Sequence, residues 1–471
     1  MKNYRYLPAL ILAITAALHS NTKAQQIPAD PMKYKTFYDT TKIKFEGVMW
    51  FEEIPGKKGI FLVAEQNGKI WVLNPSEGVG GTKTLYMNFP TYSSNSYHED
   101  GLLSMAFHPK FTENHKLYAF YTPSTQRSNL AIGEFLADNT FLKDSGTPGK
   151  ILWSAPVAGG HDGAQLAFGP DTYLYWAVGQ DHGKPGTAQD MTSPRGKMYR
   201  VNVDMAADGK SYSIPTDNPY ASSTTIAKEI WAHGFRNPQK FSFDKLTGDL
   251  WEVEVGQWFW EDVNIVRKGE NYGWDIMEGV NCYSWANERA PLASCTKTGI
   301  TPPVWAIAHL DPNNAWLNSG VGGFVYRANA NSKLYGVYIF GDFASKQIFA
   351  VTQANRKMTA VKEYARAPMG PNHFTVDSEG KAYMAGWYSS SNYFSTSENS
   401  CQLLQLDHPD LLMGATPLAT KNDRQRFVRT QTASTFVQLP GVPVGYFRAL
   451  DAKGREYRTY SGARSRLGFQ R

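Results

Sequence analysis

The chain has 471 residues, of which 14% are aromatic, and it contains 41 Gly and 26 Pro. Its net charge of +6 is concentrated at the C-terminal end, where residues 411–471 carry 9 Arg and 2 Lys against 2 Asp and 1 Glu. The rest of the chain is near neutral, which excludes a polyanion-binding role for it, so we expect no nucleic-acid partner. Abundant aromatics, glycines and prolines favour short strands joined by turns over long helices. We therefore expect an all-β protein.

The first residues have the pattern of a targeting segment. Lys2 and Arg5 precede an apolar run from Leu7 to Leu18, and small residues lead up to Ala24. The run is too short to cross a bilayer core of ~30 Å, so residues 1–24 are predicted to be a secretory signal peptide. We expect a secreted or periplasmic protein with no membrane span.

Pairs of β-rich runs recur along the chain. They occur in six groups, at 68–75, 117–138, 173–204, 249–266, 335–351 and 381–407. Strand pairs that recur irregularly every ~40–75 residues suit propeller blades with long loops better than a compact sandwich. We predict a six-bladed β-propeller over residues 36–408; the alternative is a pair of β-sandwich domains.

The three cysteines have different settings. Cys282 and Cys295 lie in a polar, loop-like segment, which in an oxidising compartment predicts a disulfide. Neither has a second Cys or a His at ligand spacing, so a zinc site is disfavoured. Cys401 lies in the apolar run CQLLQLD and is expected to be a buried thiol.

Four loops carry unusual polar content. Because propeller loops from several blades converge on a central channel, candidate functional residues are expected to be scattered along the sequence. The loops are His98–Gly101, Gly159–Gly183, His233–Pro238 and Gly256–Asp262. Of the carboxylates in the last loop, Glu261 and Asp262 are interpreted as a solvated pair rather than a calcium site, and His108 as a residue that stabilises a turn.

Five ordered motifs resemble the soluble quinoprotein sugar dehydrogenases. They are HEDGLLSMAFHPKF, GGHDGAQLAFGPD, HGFRNPQ, VGQWFWEDVNIVRKGENYGW and GVYIFGDFASKQIF. The resemblance covers roughly residues 36–408. It implies a six-bladed propeller that holds pyrroloquinoline quinone (PQQ) and Ca²⁺ at its centre and oxidises an aldose-type sugar at the anomeric carbon to a lactone.

The resemblance also implies roles for individual residues. His161 matches the family's catalytic base, and an unperturbed histidine pKa near 6.5 suits a base at near-neutral pH. Arg236 and Asn237 match a cofactor-binding pair, in which the arginine would stabilise negative charge on the quinone oxygen. Gly256 and Gln257 match positions whose main-chain carbonyls bind the calcium ion, a hard cation that prefers oxygen.

The chain departs from the family pattern at several positions. Glu99 occupies a substrate-proximal position where the glucose dehydrogenases have glutamine, and Gly160 replaces an aspartate. A family lysine contact on the fifth blade has Lys346 as its candidate here, and Asn372 lies where the last blade would carry an arginine pair. PQQ is a tricarboxylate, and each charge-assisted contact to it that is lost costs ~1.5–3 kcal/mol in binding free energy. These departures weaken the expected quinone binding.

Two hypotheses follow. The first is a secreted quinoprotein dehydrogenase that passes electrons to a separate acceptor, because no haem-attachment motif C-x-x-C-H occurs. The second is a catalytically silent propeller that binds a glycan or a protein, since NCY…C…TPPVWAIAH is similar to the family branch of the hedgehog-interacting proteins. Residues 411–471 are expected to form either a small β-module for cell-surface attachment or a disordered basic tail.

Overall fold

Six four-stranded antiparallel sheets make up most of the molecule. The computed structural model describes residues 27–75, 80–93, 99–125, 128–157, 160–163, 165–287, 290–309, 319–388 and 401–412, with the backbone of three further strands after residue 434. The predicted signal peptide, His98 and Gly159 lie outside the described residues. The sheets follow one another along the chain as the six blades of a β-propeller, which confirms the predicted fold.

The blades are numbered in chain order, and most of them contain four strands that are consecutive in the chain. The strands of blades 1 and 2 are β2 (Val48–Glu53), β3 (Phe61–Glu65), β4 (Lys69–Asn74), β5 (Thr82–Asn88), β6 (Leu102–Phe107), β7 (Lys116–Tyr121), β8 (Asn129–Leu136) and β9 (Lys150–Pro156). Those of blades 3 and 4 are β10 (Leu166–Phe168), β11 (Leu174–Val178), β12 (Lys197–Val201), β13 (Ile230–His233), β14 (Pro238–Phe243), β15 (Leu250–Glu254), β16 (Trp260–Val266) and β19 (Trp305–Ala308). Those of blades 5 and 6 are β20 (Gly320–Val325), β21 (Tyr338–Asp342), β22 (Gln347–Ala354), β23 (Lys357–Arg366), β24 (Gly370–Val376), β25 (Ala382–Trp387) and β26 (Cys401–Asp407).

Blade 6 is completed by the N-terminal strand β1 (Lys33–Lys35). This strand pairs antiparallel with β26, and Lys33 lies opposite Asp407. The first strands of successive blades, β2, β6, β10, β14, β20 and β24, contact one another in a ring. Pairing the two ends of the propeller in one blade closes this ring without leaving an unpaired sheet edge.

The β-rich pairs recognised in the sequence are the second and third strands of the blades. These strands are sandwiched between neighbouring blades, and all five residues of β11 and of β15 are buried. Burial on both faces explains the continuous apolar sequence of β11, because alternation requires one solvent-exposed face, whereas β15 buries two glutamates, Glu252 and Glu254, among its apolar residues. The first strands of the blades are harder to recognise in the sequence, because β10 has only three residues and β20 contains three glycines.

An insertion in blade 4 runs along the seam with blade 3. It contains the hairpin β17 (Met277–Glu278) and β18 (Asn281–Cys282), followed by a 3₁₀ turn at Trp285–Asn287. The predicted disulfide joins Cys282 to Cys295, which confirms that pairing. Cys401 is a buried thiol, as expected, and its sulfur accepts the backbone N–H of Val48.

The remaining elements are short. Helix α1 (Phe111–Asn114) follows β6, and α2 (Pro409–Leu412) follows β26. After residue 434, β27 (Thr435–Gln438), β28 (Tyr446–Leu450) and β29 (Glu456–Tyr460) form a three-stranded antiparallel sheet, so part of the basic tail is β-structured. Within the described part of the chain, no helix has the length and apolarity needed to span a membrane.

Candidate active site

The predicted site residues share one end of the propeller. His161 precedes β10, Glu99 precedes β6, and Arg236 and Asn237 precede β14, so all four lie where first strands begin. Gln257 follows β15, and Glu254 at the end of β15 pairs with Pro238 at the start of β14. Because paired strands are antiparallel, the ends of second strands lie beside the starts of first strands. Residues far apart in sequence therefore meet at this end.

His161 lies in a left-handed turn of the backbone. Its φ is 62°, and it stands between Gly160 at φ 121° and Gly163 at φ 75°. A Cβ on Gly163 would lie 2.4 Å from the Ala177 carbonyl oxygen, so only glycine fits there. The His161 side chain is buried, and its Nδ1 has no hydrogen-bond partner among the described residues. Its ring meets the ring of His182 edge-on at 4.8 Å.

Gly179 lies between the backbones of His161 and Arg236. A Cβ at Gly179 would be 2.3 Å from the His161 carbonyl oxygen and 2.6 Å from that of Arg236. The next residue, Gln180, donates its backbone N–H to the Arg236 carbonyl at 2.7 Å. Because Gly179 has no side chain, the His161 loop and the Arg236 loop can both approach the end of β11.

The Arg236 guanidinium is held by oxygen acceptors at the end of β15. Its Nε and Nη2 donate to Oε1 of Gln257 at 2.9 and 2.6 Å, and Nη1 donates to the Val255 carbonyl at 2.9 Å. The group also lies 5.8 Å from the centre of the Trp274 ring. Burial lowers the pKa of Arg236, while Glu278 and Glu261 act against this shift. The cation is therefore buried and fixed in orientation.

Glu99 connects the loops of three blades. Its Oε2 accepts the backbone N–H of Asp162 at 2.6 Å, and its Oε1 accepts Nδ2 of Asn237 at 2.9 Å. Oδ1 of Asp162 is in turn bound by Nη2 of Arg195 at 2.8 Å, and both side chains are almost fully buried. Asp162 and Arg195 were not singled out by sequence. The adjacency of Asp162 to His161 was the available signal, whereas nothing in the sequence SPRGK indicated Arg195.

The local electrostatics keep His161 neutral. Burial lowers the pKa of His161 well below 6.5, and electrostatic interactions with Arg236, His182 and Arg195 lower it further. Burial has the opposite effect on Glu99, because it disfavours the charged carboxylate, and with Asp162 nearby it raises the pKa of Glu99 to about 7. At neutral pH the site thus holds an unprotonated imidazole beside a buried guanidinium.

The interpretation of Glu261 and Asp262 as a solvated loop pair was wrong. Both belong to β16; Glu261 is fully buried, and Asp262 is partly exposed but has its Oδ1 atom buried. Glu261 accepts Nε2 of His309 at 2.7 Å and the backbone N–H of Gly320 at 2.6 Å. Asp262 lies opposite Glu254 in the strand register, and burial raises the pKa of each to about 8. Glu254 fixes the backbone of the Arg236 loop, since its Oε1 accepts the Arg236 and Asn237 backbone N–H groups.

The Gly256–Trp260 turn is organised by Glu278. Oε1 of Glu278 accepts the backbone N–H groups of Gln257, Trp258 and Phe259 at 2.7–2.8 Å. In a trans peptide the N–H and C=O groups point in opposite directions, so the carbonyls of Gly256 and Gln257 point away from Glu278. Among the described residues, no three His, Cys, Asp or Glu side chains form a group that could hold a metal ion.

The disulfide-linked insertion is tied to the His182 loop through Asp275. Oδ2 of Asp275 accepts the backbone N–H of Gly186 at 2.7 Å and Nε1 of Trp285 at 2.5 Å. Gly186 belongs to the loop that carries His182, the ring that meets His161. The insertion therefore holds the loop whose His182 ring contacts His161. Sequence reasoning did not identify Asp275.

Lys346 and Asn372 are not part of the hydrogen-bonded network around His161. Lys346 lies half-buried, with φ 63°, in the turn between β21 and β22. Asn372 is buried in β24, where its Nδ2 donates to the Val48 carbonyl at 2.8 Å. The neighbouring His373 bonds to the Phe51 carbonyl at 3.2 Å. His108 stabilises its turn as expected, because its Nδ1 accepts the Lys110 backbone N–H at 3.0 Å.

The fold is that of a six-bladed propeller, and His161, Arg236 and Glu99 form a candidate site on its loops. The sequence profile of the Glucose / Sorbosone dehydrogenase family matches residues 50–384, and the chain belongs to this family. Fold similarity extends to the PQQ-bound form of an aldose sugar dehydrogenase from Streptomyces coelicolor, with a TM-score of 0.62 and 22% identity. That comparison covers 81% of this chain and 99% of the other.

Curated relatives fall into two groups. Quinoprotein glucose dehydrogenase B of Acinetobacter calcoaceticus is 30% identical over 259 residues, which cover 49% of this chain and 51% of that protein. HIPL1 protein of Arabidopsis thaliana is 27% identical, with 54% of this chain and 44% of that protein covered. Hedgehog-interacting protein of Homo sapiens is 28% identical, with 61% and 39% covered. The chain spans about half or less of the length of these relatives.

Proposed function

We propose that this protein is a quinoprotein dehydrogenase that oxidises an aldose-type sugar at its anomeric carbon to the lactone. The observation that carries the proposal is the pairing of a neutral, buried His161 with a buried Arg236 on either side of Gly179. A base and a fixed cation in one water-poor site are what removal of a hydroxyl proton, coupled to hydride loss from the same carbon, requires.

His161 is the proposed catalytic base. Its Nδ1, which has no partner among the described residues, would accept the proton of the sugar's anomeric hydroxyl. As the O–H bond breaks, its electron pair forms the lactone C=O bond and the anomeric carbon loses hydride. Glu99 would lie near the substrate and fix the loops that carry His161 and Asn237. The lowered pKa keeps the base unprotonated at neutral pH.

The residues of blades 3 and 4 fit an anionic, planar quinone. Unpartnered buried polar atoms of the described residues include Nη1 of Arg195 and both amide atoms of Gln180, in addition to Nδ1 of His161. Arg236 and Asn237 would hold PQQ, and bound PQQ would supply the hydride acceptor. The main-chain carbonyls of Gly256 and Gln257 are the proposed calcium ligands, because they point away from the Glu278 carboxylate.

Blade 6 fits the quinone less well. Asn372 uses its side-chain amide on the Val48 carbonyl, and burial lowers the pKa of His373 well below 6.5, so that His373 contributes no cation. Lys346 remains a proposed contact on blade 5. The poor fit of blade 6 to the quinone favours the second candidate function, a catalytically silent propeller that binds a glycan or protein partner. Similarity to Hedgehog-interacting protein points the same way.

Reconstitution distinguishes the two functions. Purified protein is titrated with PQQ in the presence of Ca²⁺, binding is followed by quenching of tryptophan fluorescence, and a panel of aldoses is tested with an artificial electron acceptor. The dehydrogenase predicts saturable PQQ binding and sugar-dependent acceptor reduction, and His161→Ala should abolish turnover while PQQ binding persists. Absence of both binding and turnover would overturn the dehydrogenase and leave the binding propeller.

Cellular context is also proposed from the sequence. Export through the signal peptide at residues 1–24 would place the enzyme outside the cytoplasm, where a separate electron acceptor re-oxidises the cofactor. The basic segment 411–471 would attach the propeller to an anionic cell surface. Fractionation of cells that express the full chain, compared with a truncation after Asp407, tests both points: attachment requires that only the full chain stays with the envelope.

A further inference from the structure

A cavity lies on the side of the propeller, separate from the hydrogen-bonded network around His161. It has a volume of about 850 Å³ and opens between β9 of blade 2 and the long connection that joins β12 to β13 in blade 3. Small-molecule sites typically have volumes of roughly 300–1,000 Å³, so this cavity is large enough for a ligand. Neither His182 nor Gly179, the described neighbours of His161, lines it.

Trp153 presents a partly exposed aromatic ring to the cavity, and two buried tyrosines lie behind the wall. Trp153, half-buried on β9, packs against Tyr199 with ring centres 5.5 Å apart, and Tyr212 lies on the opposite connection. Tyr199 and Tyr212 are buried, and the hydroxyl of Tyr199 donates to the Pro194 carbonyl at 2.6 Å. The tyrosines are therefore fixed before any ligand binds, which reduces the entropic cost of binding.

A buried carboxylate lies on the cavity wall. Glu229 is only 6% exposed, and its Oε1 pairs with Nζ of Lys210 and accepts the hydroxyl of Tyr212 at 2.7 Å. Burial works to raise the pKa of Glu229, but the bonds from Lys210 and Tyr212 hold it below its ordinary value. The carboxylate is thus ionised at neutral pH and can accept further hydrogen bonds through Oε2.

Hydroxyl groups complete the wall. Ser223, Thr224 and Thr225 line the cavity, and Oγ of Ser223 accepts the backbone N–H groups of Thr225 and Ile226 at 3.2 and 2.9 Å. Those bonds fix the turn, and the Ser223 hydroxyl keeps its own proton for donation. The cavity therefore offers the partly exposed ring of Trp153, hydroxyl donors and a charged acceptor together.

We propose that this cavity is an auxiliary binding site for a neutral saccharide chain. Sugar rings carry apolar C–H faces that pack on aromatic rings, and hydroxyl rims that bond to carboxylate and hydroxyl groups. Lys210 and Glu229 pair with each other, and the exposed Lys228 leaves a single positive charge on the lining, while the buried carboxylate of Glu229 disfavours an anionic ligand beside it. The inference does not depend on the chemistry at His161, since a catalytically silent propeller would hold the same cavity.

Calorimetric titration of the full exported chain tests the proposal with defined probes. Cellotriose, maltotriose and xylotriose represent neutral chains, and trigalacturonate is their anionic counterpart. At least one neutral trisaccharide should bind, and Trp153→Ala should weaken its binding by about tenfold or more, through loss of the aromatic contact. Trp71→Ala, which removes a half-buried tryptophan from β4 of blade 1, is the matched control and should leave binding unchanged.

A second variant guards against misfolding of Trp153→Ala, because Trp153 also packs on Trp176. Thr224 is exposed, so Thr224→Trp should fill the cavity without disturbing the core and should also weaken binding. His161→Ala should retain the binding. The proposal is overturned if no neutral trisaccharide binds more tightly than about 10 mM, if only trigalacturonate binds, or if binding is lost in His161→Ala and kept in Thr224→Trp.

Discussion

Oε1 of Glu99 accepts a hydrogen bond from Nδ2 of Asn237 at 2.9 Å, across 138 residues of sequence. Its other oxygen accepts the backbone N–H of Asp162, which follows His161. One half-buried carboxylate thus joins the loops of blades 2, 3 and 4. Because burial raises the pKa of Glu99 to about 7, the charge of this junction changes near neutral pH.

Substitution of Glu99 should alter the pH dependence of stability. An acid whose pKa is raised on folding binds its proton more tightly in the folded state, so its stabilising contribution is complete below its unfolded pKa and is lost as pH rises through about 7. In Glu99→Gln this contribution is absent, so the free energy of unfolding should fall less between pH 5 and about 8 than in the wild type. Urea unfolding across this range measures the slope. Glu113→Gln, at an exposed position in α1, is the control, and equal slopes for Glu99→Gln and wild type would contradict the assignment.

Removal of Arg195 should destabilise the protein strongly. Arg195 and Asp162 pair at 2.8 Å with side chains only 4% and 6% exposed, so Arg195→Ala leaves a buried carboxylate without this charged partner. Breaking a buried pair typically costs ~3–5 kcal/mol. The matched control is Arg267→Ala, whose partner is Asp249 and whose side chain is 50% exposed, where ~0–1 kcal/mol is expected. Denaturant unfolding measures both variants, and similar losses would argue against a structural role for the buried pair.

The acid limb of the activity profile should reflect His161. With a pKa well below 6.5, the base stays unprotonated as pH falls through the usual histidine range, and kcat/KM should begin to decline only at lower pH. Stopped-flow rates of reconstituted protein over pH 4–8 measure this limb. Half-maximal kcat/KM at pH 6.5 or above would mean that His161 is not the titrating base, or that substrate and cofactor reverse the effect of burial.

Loss of Asp275 should loosen the His182 loop without unfolding the propeller. Asp275→Ala removes the acceptor for Gly186 N–H and for Nε1 of Trp285. Because these donors are only partly buried, water can replace the lost acceptor, so each lost bond costs roughly 0.5–1.5 kcal/mol and amide exchange of the 181–190 loop should accelerate by about 2- to 10-fold. Hydrogen–deuterium exchange with mass spectrometry measures the loop directly. Exchange in β11 and β15 serves as the internal control and should stay slow; acceleration there as well would indicate general destabilisation instead.

The sequence determined the fold class because local chemistry encodes it. The second and third strands of each blade are largely buried on both faces, so many of them appear as dense apolar runs such as that of β11. Polar loops between such runs marked His161 and Arg236, and the Cys282–Cys295 pairing followed from a short polar segment in an oxidising compartment.

Tertiary structure alone decided which of these residues meet. Asp162 is held by Arg195, 33 residues away, and Glu99 by Asn237, because blade closure juxtaposes loops that no local pattern connects. Burial also reversed the interpretation of Glu261 and Asp262, which look like a solvated loop pair in sequence, whereas in β16 Glu261 is fully buried and Asp262 has a buried Oδ1 atom. Strand β1 likewise found its partner β26 only through ring closure. Sequence specifies each strand and turn through local propensity, whereas the distances, burial and charge of the site arise from contacts between distant segments, which exist only once the ring has closed.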